Sequence, residues 1–241
     1  MSEERFLVVN ADDLGLSAGV NAGIVEAHER GIVTSASLMV RAAAAAAAVA
    51  LIGDCPRLAV GLHLDIAEWR FEDGEWRLAY ERCDPDDPAA VEAECRGQVD
   101  AFRELTGRDP THLDSHQHTH MSEPVATVAA RLAAELKVPL RGRGIPYEGG
   151  FYGQTGKGEP YPEGIEPGHL IELIEALPPG GTELGCHPGR GADAGSPYGA
   201  ERERELGALC DPRVATAIER AGISLRSFAD LRRGGDRSGP P

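Results

Sequence analysis

Residues 6–15 of the chain read FLVVNADDLG. The apolar run Phe6–Val9 is typical of a strand that is buried on both faces, as strands of parallel sheets are. Two adjacent carboxylates, Asp12 and Asp13, follow near the end of this strand. Active sites of α/β proteins form at the carboxyl ends of parallel strands. The segment therefore predicts a parallel sheet with a candidate site at its edge.

Strands and helices alternate after this segment. Ser17 is a candidate N-cap of a helix that ends at Gly31. A strand at 35–40, an Ala-rich helix at 42–52 and a strand at 58–64 follow. The order strand, helix, strand, helix, strand predicts a parallel sheet with right-handed crossovers.

The segment 68–80 departs from this alternation, because Asp73-Gly74 between two aromatic-bearing runs predicts a β-hairpin. Asp87 and Pro88 then begin a helix that leads to 111–114. Beyond residue 120 we predict helices at 124–136, 169–177, 198–209 and 212–221, and strands near 138–141, 182–188 and 223–225. The Gly- and Pro-rich loop at 142–167 is typical of a functional lid or a mobile segment. Residues 232–241 are predicted to be a disordered tail.

Composition narrows the class of protein. A chain of 241 residues commonly forms one α/β domain. Its net charge of −15 opposes binding to nucleic acid or to anionic membrane surfaces. The longest apolar run is shorter than the roughly 20 residues that cross a bilayer, and no signal-peptide pattern is visible. The five cysteines form no C-x-x-C pair, which predicts free thiols in a reducing cytoplasm.

The segment DSHQHTH at residues 114–120 holds three of the eight histidines. If it is extended, its period of two places Asp114, His116, His118 and His120 on one face. Neutral imidazoles are metal ligands, so such a face could bind a cation. A solvated, histidine-rich loop is the alternative interpretation.

Four polar sites now follow apolar strands: the Asp12/Asp13 pair, His63, the 114–120 segment and His187. Each has an ordinary explanation when taken alone. The Asp pair could begin the next helix, His63 could be a hydrogen-bonded core residue, and His187 could serve packing. One parallel sheet would nevertheless bring all four to the same rim.

A carboxylate and two imidazoles suit a divalent cation that keeps open positions for water and substrate. The second carboxylate of the Asp pair could then take a proton from the bound water as a general base, while the cation polarises a carbonyl. His187 would be free to protonate a leaving amine or to stabilise an oxyanion. This chemistry predicts hydrolysis of an amide or ester.

Six motifs together resemble the YdjC-like carbohydrate deacetylases, also called the ChbG/HpnK family: NADDLG at 10–15, GIVTS at 31–35, GLH at 61–63, THLDSHQH at 111–118, FYG at 151–153 and CHP at 186–188. They occur in the family's order and span residues 6 to about 230. The resemblance implies a distorted TIM-like (β/α) barrel in a single domain over residues 1–231. It also implies a metal-dependent hydrolase that removes acetyl groups from N-acetylated sugars such as chitooligosaccharides or glycoconjugates.

The resemblance also implies roles for single residues. The metal ligands would be Asp13, His63 and His116, with Asp12 as the base. His187 would be an acid or would stabilise the transition state. The positions implied to contact substrate or to support the ligands are His118, His120, Asp114 and Tyr152. The resemblance points to Mg²⁺ and to a homodimer, whereas ligand softness favours Zn²⁺ or a similar ion.

Two positions depart from the family pattern, namely Leu14 in place of Phe and Asp65 in place of a neutral polar residue. Asp65 could alter substrate preference. Two other functions stay open: a non-catalytic metal- or sugar-binding barrel, and a metal hydrolase of another bond such as a phosphoester. The acidic chain and the lack of a Gly-rich phosphate cradle or basic cluster at the four sites argue against a phosphoester substrate.

Overall fold

A computed structural model describes residues 4–191 and 198–235. Its strands are β1 Phe6–Leu14, β2 Ser35–Leu38, β3 Ala59–Leu64, β4 Ala67–Glu72, β5 Glu75–Glu81, β6 Leu113–Ser115, β7 Tyr147–Glu148, β8 Gly181–Cys186 and β9 Ser224–Leu225. Its α-helices are α1 Ala18–Arg30, α2 Ala45–Ile52, α3 Pro88–Thr106, α4 Val125–Leu136, α5 Pro167–Ala176, α6 Ala200–Leu209, α7 Pro212–Arg220 and α8 Phe228–Gly235.

One parallel sheet organises the molecule. Its strand order is β6-β3-β2-β1-β8-β7, and β9 also pairs with β1. The start of β1 pairs with β9 at Ser224, and its later part pairs with β2 at Ser35. The sheet curls into a half-barrel, which confirms the predicted distorted, barrel-like β/α fold.

Strand β1 is central because both of its faces are buried. Leu7, Val9 and Ala11 belong to the main apolar core, which the helices share. The alternating residues Asn10 and Asp12 are also buried, at 0% and 3% exposure. Since neighbouring strand residues point to opposite faces, β1 supplies the core with one face and the candidate site with the other.

Predicted N-cap residues begin two of the helices, α1 and α3. The Ser17 side chain accepts a hydrogen bond from the Val20 backbone N–H at 3.1 Å and begins α1. The Asp87 side chain accepts from the Ala89 backbone N–H at 2.9 Å and begins α3. These caps satisfy amide groups that have no partner inside the helix.

Strands β4 and β5 form the predicted hairpin, which lies outside the main sheet. Asp73 and Gly74 at its tip have φ values of 53° and 83°. A two-residue turn of this kind needs positive φ at both positions, and Asp-Gly supplies it at low cost. The hairpin prediction is therefore confirmed.

One predicted strand is absent, and the extended interpretation of residues 114–120 does not hold beyond Ser115. Residues 138–141 form no strand; Leu140 makes only an isolated bridge to Leu113, and Gly142 follows with a φ of 73°. Residues 116–121 form a 3₁₀ helix, in which Gln117 and His118 have φ values of 48° and 55°. Positive φ breaks the alternation of an extended chain, so the histidines do not share one face.

The long loop at 142–167 contains β7 and a 3₁₀ turn, Pro162–Ile165. Residues 232–235, which the sequence assigns to a tail, lie in α8, and 236–241 lie outside the described residues. Within the part of the chain that the structure describes, no helix is long and apolar enough to cross a membrane.

Candidate active site

The carboxylates of Asp12 and Asp13 both line a cleft of about 780 Å³ at the carboxyl end of the sheet. Adjacent residues of a regular strand would point to opposite faces. Here Asp13 has a φ of 65°, and the pairing of β1 with β2 shifts register between Ala11 and Leu14. Bulges of this kind re-aim side chains near active sites, and Asp tolerates left-handed backbone better than most residues.

Asp13, His63 and His116 lie together, as the family resemblance implies. Asp13 Oδ1 is 3.4 Å from His63 Nε2 and 3.2 Å from His116 Nδ1. One candidate ligand atom from each residue lies within 4.8 Å of the others. Two nitrogen donors and one carboxylate oxygen match the three-ligand sets of catalytic transition-metal sites, so these residues fit a divalent cation.

The carboxylates around the two histidines favour positive charge at this place. Burial alone would lower the pKa of both imidazoles. The charge and hydrogen bonds of Asp114 and Asp13 outweigh burial at His63 and raise its pKa well above the usual value. Hydrogen bonds to Asp13 and Glu68 raise the pKa of His116 to about 9. A cation bound here would take the place of these protons.

Asp114 orients the His63 ring. The two residues are register partners on β3 and β6, and His63 Nδ1–H donates to Asp114 Oδ1 at 2.9 Å. With Nδ1 held in this way, the other ring nitrogen, His63 Nε2, faces Asp13 Oδ1. A carboxylate that accepts the second ring proton is typical of metal-binding histidines. The structure thus places Asp114 behind a predicted ligand, where it is completely buried.

Arg202 of α6 holds the other oxygen of Asp13. Its Nη2 donates to Asp13 Oδ2 at 2.7 Å, and its side chain is only 5% exposed. Burial would raise the pKa of Asp13, but Arg202 and the two histidines hold it well below its usual range. Asp13 is therefore ionised at neutral pH, with Oδ1 directed at the histidines.

Arg141 clamps the second carboxylate of the pair. Its Nη1 and Nη2 donate to the two oxygens of Asp12 at 2.6 Å each. Burial would raise the pKa of Asp12, but the charge and hydrogen bonds of Arg141 outweigh it and lower the pKa. The same guanidinium contacts Asp114 at 2.9 Å and Glu183 at 2.7 Å. One buried cation therefore organises three buried carboxyl groups.

Glu183 is expected to make stability depend on pH. Burial raises its pKa to about 7 despite the neighbouring Arg141, whereas an unfolded glutamate titrates near 4.5. The folded state therefore holds this proton more tightly, and the favourable contribution of the protonated group is lost as pH rises from about 4.5 through about 7. Relative to the wild type, Glu183→Gln should become progressively more stable over this window. Urea unfolding of both proteins at several pH values measures the difference; a difference independent of pH would contradict the prediction.

His187 follows β8 and lines the same cleft. Its Nε2 is 3.8 Å from Asp12 Oδ2, and its Nδ1 is 3.8 Å from Glu205 Oε1. The buried Glu205 also accepts the backbone N–H of His187. The ring of Tyr152 packs edge-on at 5.3 Å. His187 is thus held beside Asp12 with an imidazole nitrogen toward the cleft.

The remaining predicted positions divide into two groups. His118 and Tyr152 line the cleft, and the His118 ring packs against Tyr147 at 5.2 Å. His120 is buried behind it, with Nδ1 2.6 Å from Ser115 Oγ. Burial lowers the pKa of both His118 and His120 to about 4. Their roles toward the substrate or the ligands stay predictions.

Sequence reasoning missed Arg141, Arg202 and Glu205. Arg141 stands at the end of a segment predicted as a strand, and nothing in that segment marks the residue as buried. Arg202 and Glu205 lie in the run ERERE of α6, whose alternating charges resemble a solvated helix. Asp65 is not among the residues that line the cleft, and its expected effect on substrate preference stays a prediction. It accepts hydrogen bonds from the β5 residue Tyr80 and from Arg82.

Comparisons with known proteins show which family the chain belongs to. The model of the YdjC-like protein family matches residues 6–220. The chain belongs to this family. Among similar members, a carbohydrate deacetylase of Geobacillus stearothermophilus is 33% identical, with 94% of this chain and 98% of the relative covered. A chitooligosaccharide deacetylase of Citrobacter koseri is 34% identical, with 95% of this chain and all of the relative covered.

A solved structure resembles the whole chain. A crystal structure from Enterococcus faecalis V583, whose suggested identity is a cellobiose-phosphate cleavage protein, has a TM-score of 0.78 and 25% sequence identity. The match covers 95% of this chain and 99% of that one. The two proteins therefore share a fold over nearly the whole chain rather than over the site alone.

Proposed function

We propose that the protein is a metal-dependent carbohydrate N-deacetylase, which hydrolyses the acetamido group of an N-acetylated sugar. The observation that carries this proposal is the convergence of Asp13, His63 and His116 with an Arg141-clamped Asp12 and His187 in one cleft. The names of the relatives, carbohydrate deacetylase and chitooligosaccharide deacetylase, support the same reaction.

Asp13 Oδ1, His63 Nε2 and a His116 ring nitrogen would hold the divalent cation. The bound cation supplies Lewis-acid chemistry, since it polarises a carbonyl and makes water more acidic. Arg202 keeps Asp13 ionised, and Asp114 keeps the His63 Nε2 lone pair directed at the site. Two imidazole nitrogens favour Zn²⁺ or a similar transition ion over Mg²⁺, which prefers oxygen ligands.

Asp12 and His187 would move the protons. Arg141 holds Asp12 ionised, so this carboxylate can accept a proton from the attacking water. The water oxygen bonds to the acetyl carbon as the C–N bond breaks, and the amine nitrogen takes a proton from His187. The products are acetate and a free amino sugar.

The five cysteines, which are all free thiols, support a reducing compartment such as the cytoplasm.

Acetate release tests the function. Protein loaded with Zn²⁺, Co²⁺ or Mg²⁺ and given N-acetylated chitooligomers should release acetate and new amino groups in equal amounts. Asp12→Asn should keep the metal but lose about 10²- to 10⁴-fold in kcat, the usual contribution of a general base. Elemental analysis gives the metal content of both proteins. A folded, metal-loaded protein that releases no acetate from any N-acetyl sugar would overturn the proposal.

The two alternative functions give different results in this experiment. If the protein is a sugar-binding barrel without turnover, the wild type and Asp12→Asn should bind the oligomers with equal affinity. A phosphoester hydrolase would release phosphate from sugar phosphates. Two arginines line the described cleft, and each is already paired with a carboxylate, Arg202 with Asp13 and Arg70 with Glu68. This pairing argues against a phosphoester substrate, whose negative charge would need an unpaired cation.

A further inference from the structure

The β4–β5 hairpin has one aromatic face. Trp69 and Phe71 of β4 stand opposite Leu78 and Trp76 of β5 in the antiparallel register, so the four side chains share a face. Phe71 and Trp76 pack edge to face at 5.5 Å. Trp69 and Trp76 are nevertheless 42% and 53% exposed. A cluster of exposed large apolar side chains is unusual on a protein surface and commonly marks a binding site.

This aromatic face belongs to the candidate active-site cleft. Trp69, Phe71 and Trp76 line the same cleft as Asp13 and His187. Across from them the loop at 152–158 contributes Tyr152, Gln154 and two glycines to the lining. The cleft volume of about 780 Å³ lies in the upper part of the usual range for ligand pockets, about 300–1,000 Å³. The space therefore exceeds what a single acetamido group requires.

Direct bonds fix the hairpin relative to the predicted metal ligands. The Trp69 backbone N–H donates to Gln117 Oε1, and Gln117 Nε2 donates to the Trp69 carbonyl, both at 2.8 Å. Gln117 directly follows His116 in the chain. Glu68 Oε2 also lies 3.6 Å from His116 Nε2. A ligand that rests on the hairpin is thus placed at a set distance from the candidate metal centre.

The second strand of the hairpin is fastened next to His63, at the same end of the hairpin as Trp69. The buried Asp65 accepts hydrogen bonds from Tyr80 at 2.8 Å and from Arg82 at 3.0 and 2.9 Å. Asp65 is two residues beyond His63, directly after β3. The hairpin is therefore anchored beside two of the three predicted ligands, although it makes no ladder with the main sheet.

We infer that the aromatic face of this hairpin, with Trp69 and Trp76, binds the sugar rings that adjoin the acetylated one. This inference rests on the proposed deacetylase function. The faces of a pyranose ring present C–H groups, which pack on aromatic rings, while its hydroxyls point outward. Gln154 lies in the same lining and can bond those hydroxyls. This mixture of aromatic faces and polar groups suits a sugar better than a lipid chain, which would need a continuous apolar lining.

Tryptophan fluorescence gives a test that does not depend on turnover. The chain has two tryptophans, Trp69 and Trp76, and both lie on this face. Metal-free protein titrated with tetra-N-acetylchitotetraose should show a saturable change in fluorescence, with a much weaker response to N-acetylglucosamine. Trp76→Ala should weaken tetramer binding about tenfold, which corresponds to about 1.4 kcal/mol. Trp76→Phe, which keeps an aromatic ring, should restore most of the affinity.

Arg77→Ala is the matched control. Arg77 lies on the opposite face of the same hairpin and pairs across the strands with Arg70, so its removal should leave tetramer affinity unchanged. With active enzyme, Trp76→Ala should lower kcat/KM about tenfold for the tetramer and by less for shorter sugars. Circular dichroism and thermal unfolding of each variant check that the fold is retained.

The possible failures are distinguishable. Tetramer binding that depends on Trp76 without any acetate release would overturn the deacetylase function and keep the sugar-binding face. Acetate release with the same dependence on chain length in wild type and Trp76→Ala would overturn the inference and keep the function. Fluorescence changes with phospholipid vesicles but not with sugars would assign the face to lipid. The wild type could also sediment as a dimer that Trp76→Ala dissociates, with no change in fluorescence on addition of sugars. That result would assign the aromatic face to contact with a second copy of the chain.

Discussion

Asp13→Asn is expected to abolish metal binding and acetate release together. Asp13 is the carboxylate whose Oδ1 faces both His63 and His116, and its Oδ2 is held by Arg202. Residues that only support metal ligands already cost about 10- to 100-fold in metal affinity when they are replaced. Loss of a ligand should therefore exceed about 100-fold, and dialysed variant protein should contain almost no metal.

Elemental analysis and calorimetric titration with Zn²⁺ measure this loss. Asp65→Asn is a suitable control for metal content, because Asp65 is equally buried and equally paired with arginine but lies outside the ligand group. His118→Ala and His120→Ala should also keep the metal. If either of these variants lost the metal while His63→Ala kept it, the predicted ligand set would be wrong at its most specific point.

The position of the site was predictable because strand ends in a parallel sheet converge. The sequence shows Asp12, His63, Asp114 and His187 at the ends of apolar runs, and β1, β3, β6 and β8 indeed meet at one edge. The position of a polar residue at the end of an apolar run can be recognised without knowing the conformation of its side chain. For this reason the fold class and the grouping of these residues followed from the sequence, although the residues are far apart in the chain.

The local path of the backbone was less predictable. An extended reading of 114–120 assumes that every residue has negative φ, yet Gln117 and His118 are left-handed. This turn separates His116, which faces Asp13, from His120, which bonds Ser115. Positive φ at a non-glycine residue is stabilised by contacts from elsewhere in the fold, such as the bonds of Gln117 to the hairpin. No signal of this kind is present in the segment itself.

The buried arginines could not be read from the sequence for a similar reason. An arginine is usually exposed unless carboxylates surround it, and those around Arg141 come from three different strands. Whether a given arginine is a surface group or the centre of a charged cluster is thus a property of the tertiary structure. The same holds for Arg202, whose partner Asp13 is 189 positions away in the chain.

Arg141→Met is expected to cause the largest loss of stability. The Arg141 side chain is fully buried and compensates Asp12, Asp114 and Glu183. Removing one partner of a buried ion pair costs about 3–5 kcal/mol, because the remaining charge stays buried without compensation. With three carboxyl groups affected, the variant should unfold at much lower urea concentration. Activity should also fall, because Asp12 would no longer be held ionised and in place.

The pH dependence separates this explanation from a simple loss of packing. Arg141 lowers the pKa of Asp12 and Asp114, so their ionised forms stabilise the wild type above the unfolded value near 3.8, and this contribution is lost as pH falls through the lower folded values. In Arg141→Met, burial should raise both pKa values instead, so the variant should lose stability as pH rises. The difference in unfolding free energy between the two proteins should therefore be largest at neutral pH and should narrow on acidification. Arg141→Lys should fall between them, because it keeps the charge without the bidentate geometry. A difference that is the same at pH 4 and pH 7 would mean that Arg141 contributes packing rather than charge to the carboxylate cluster.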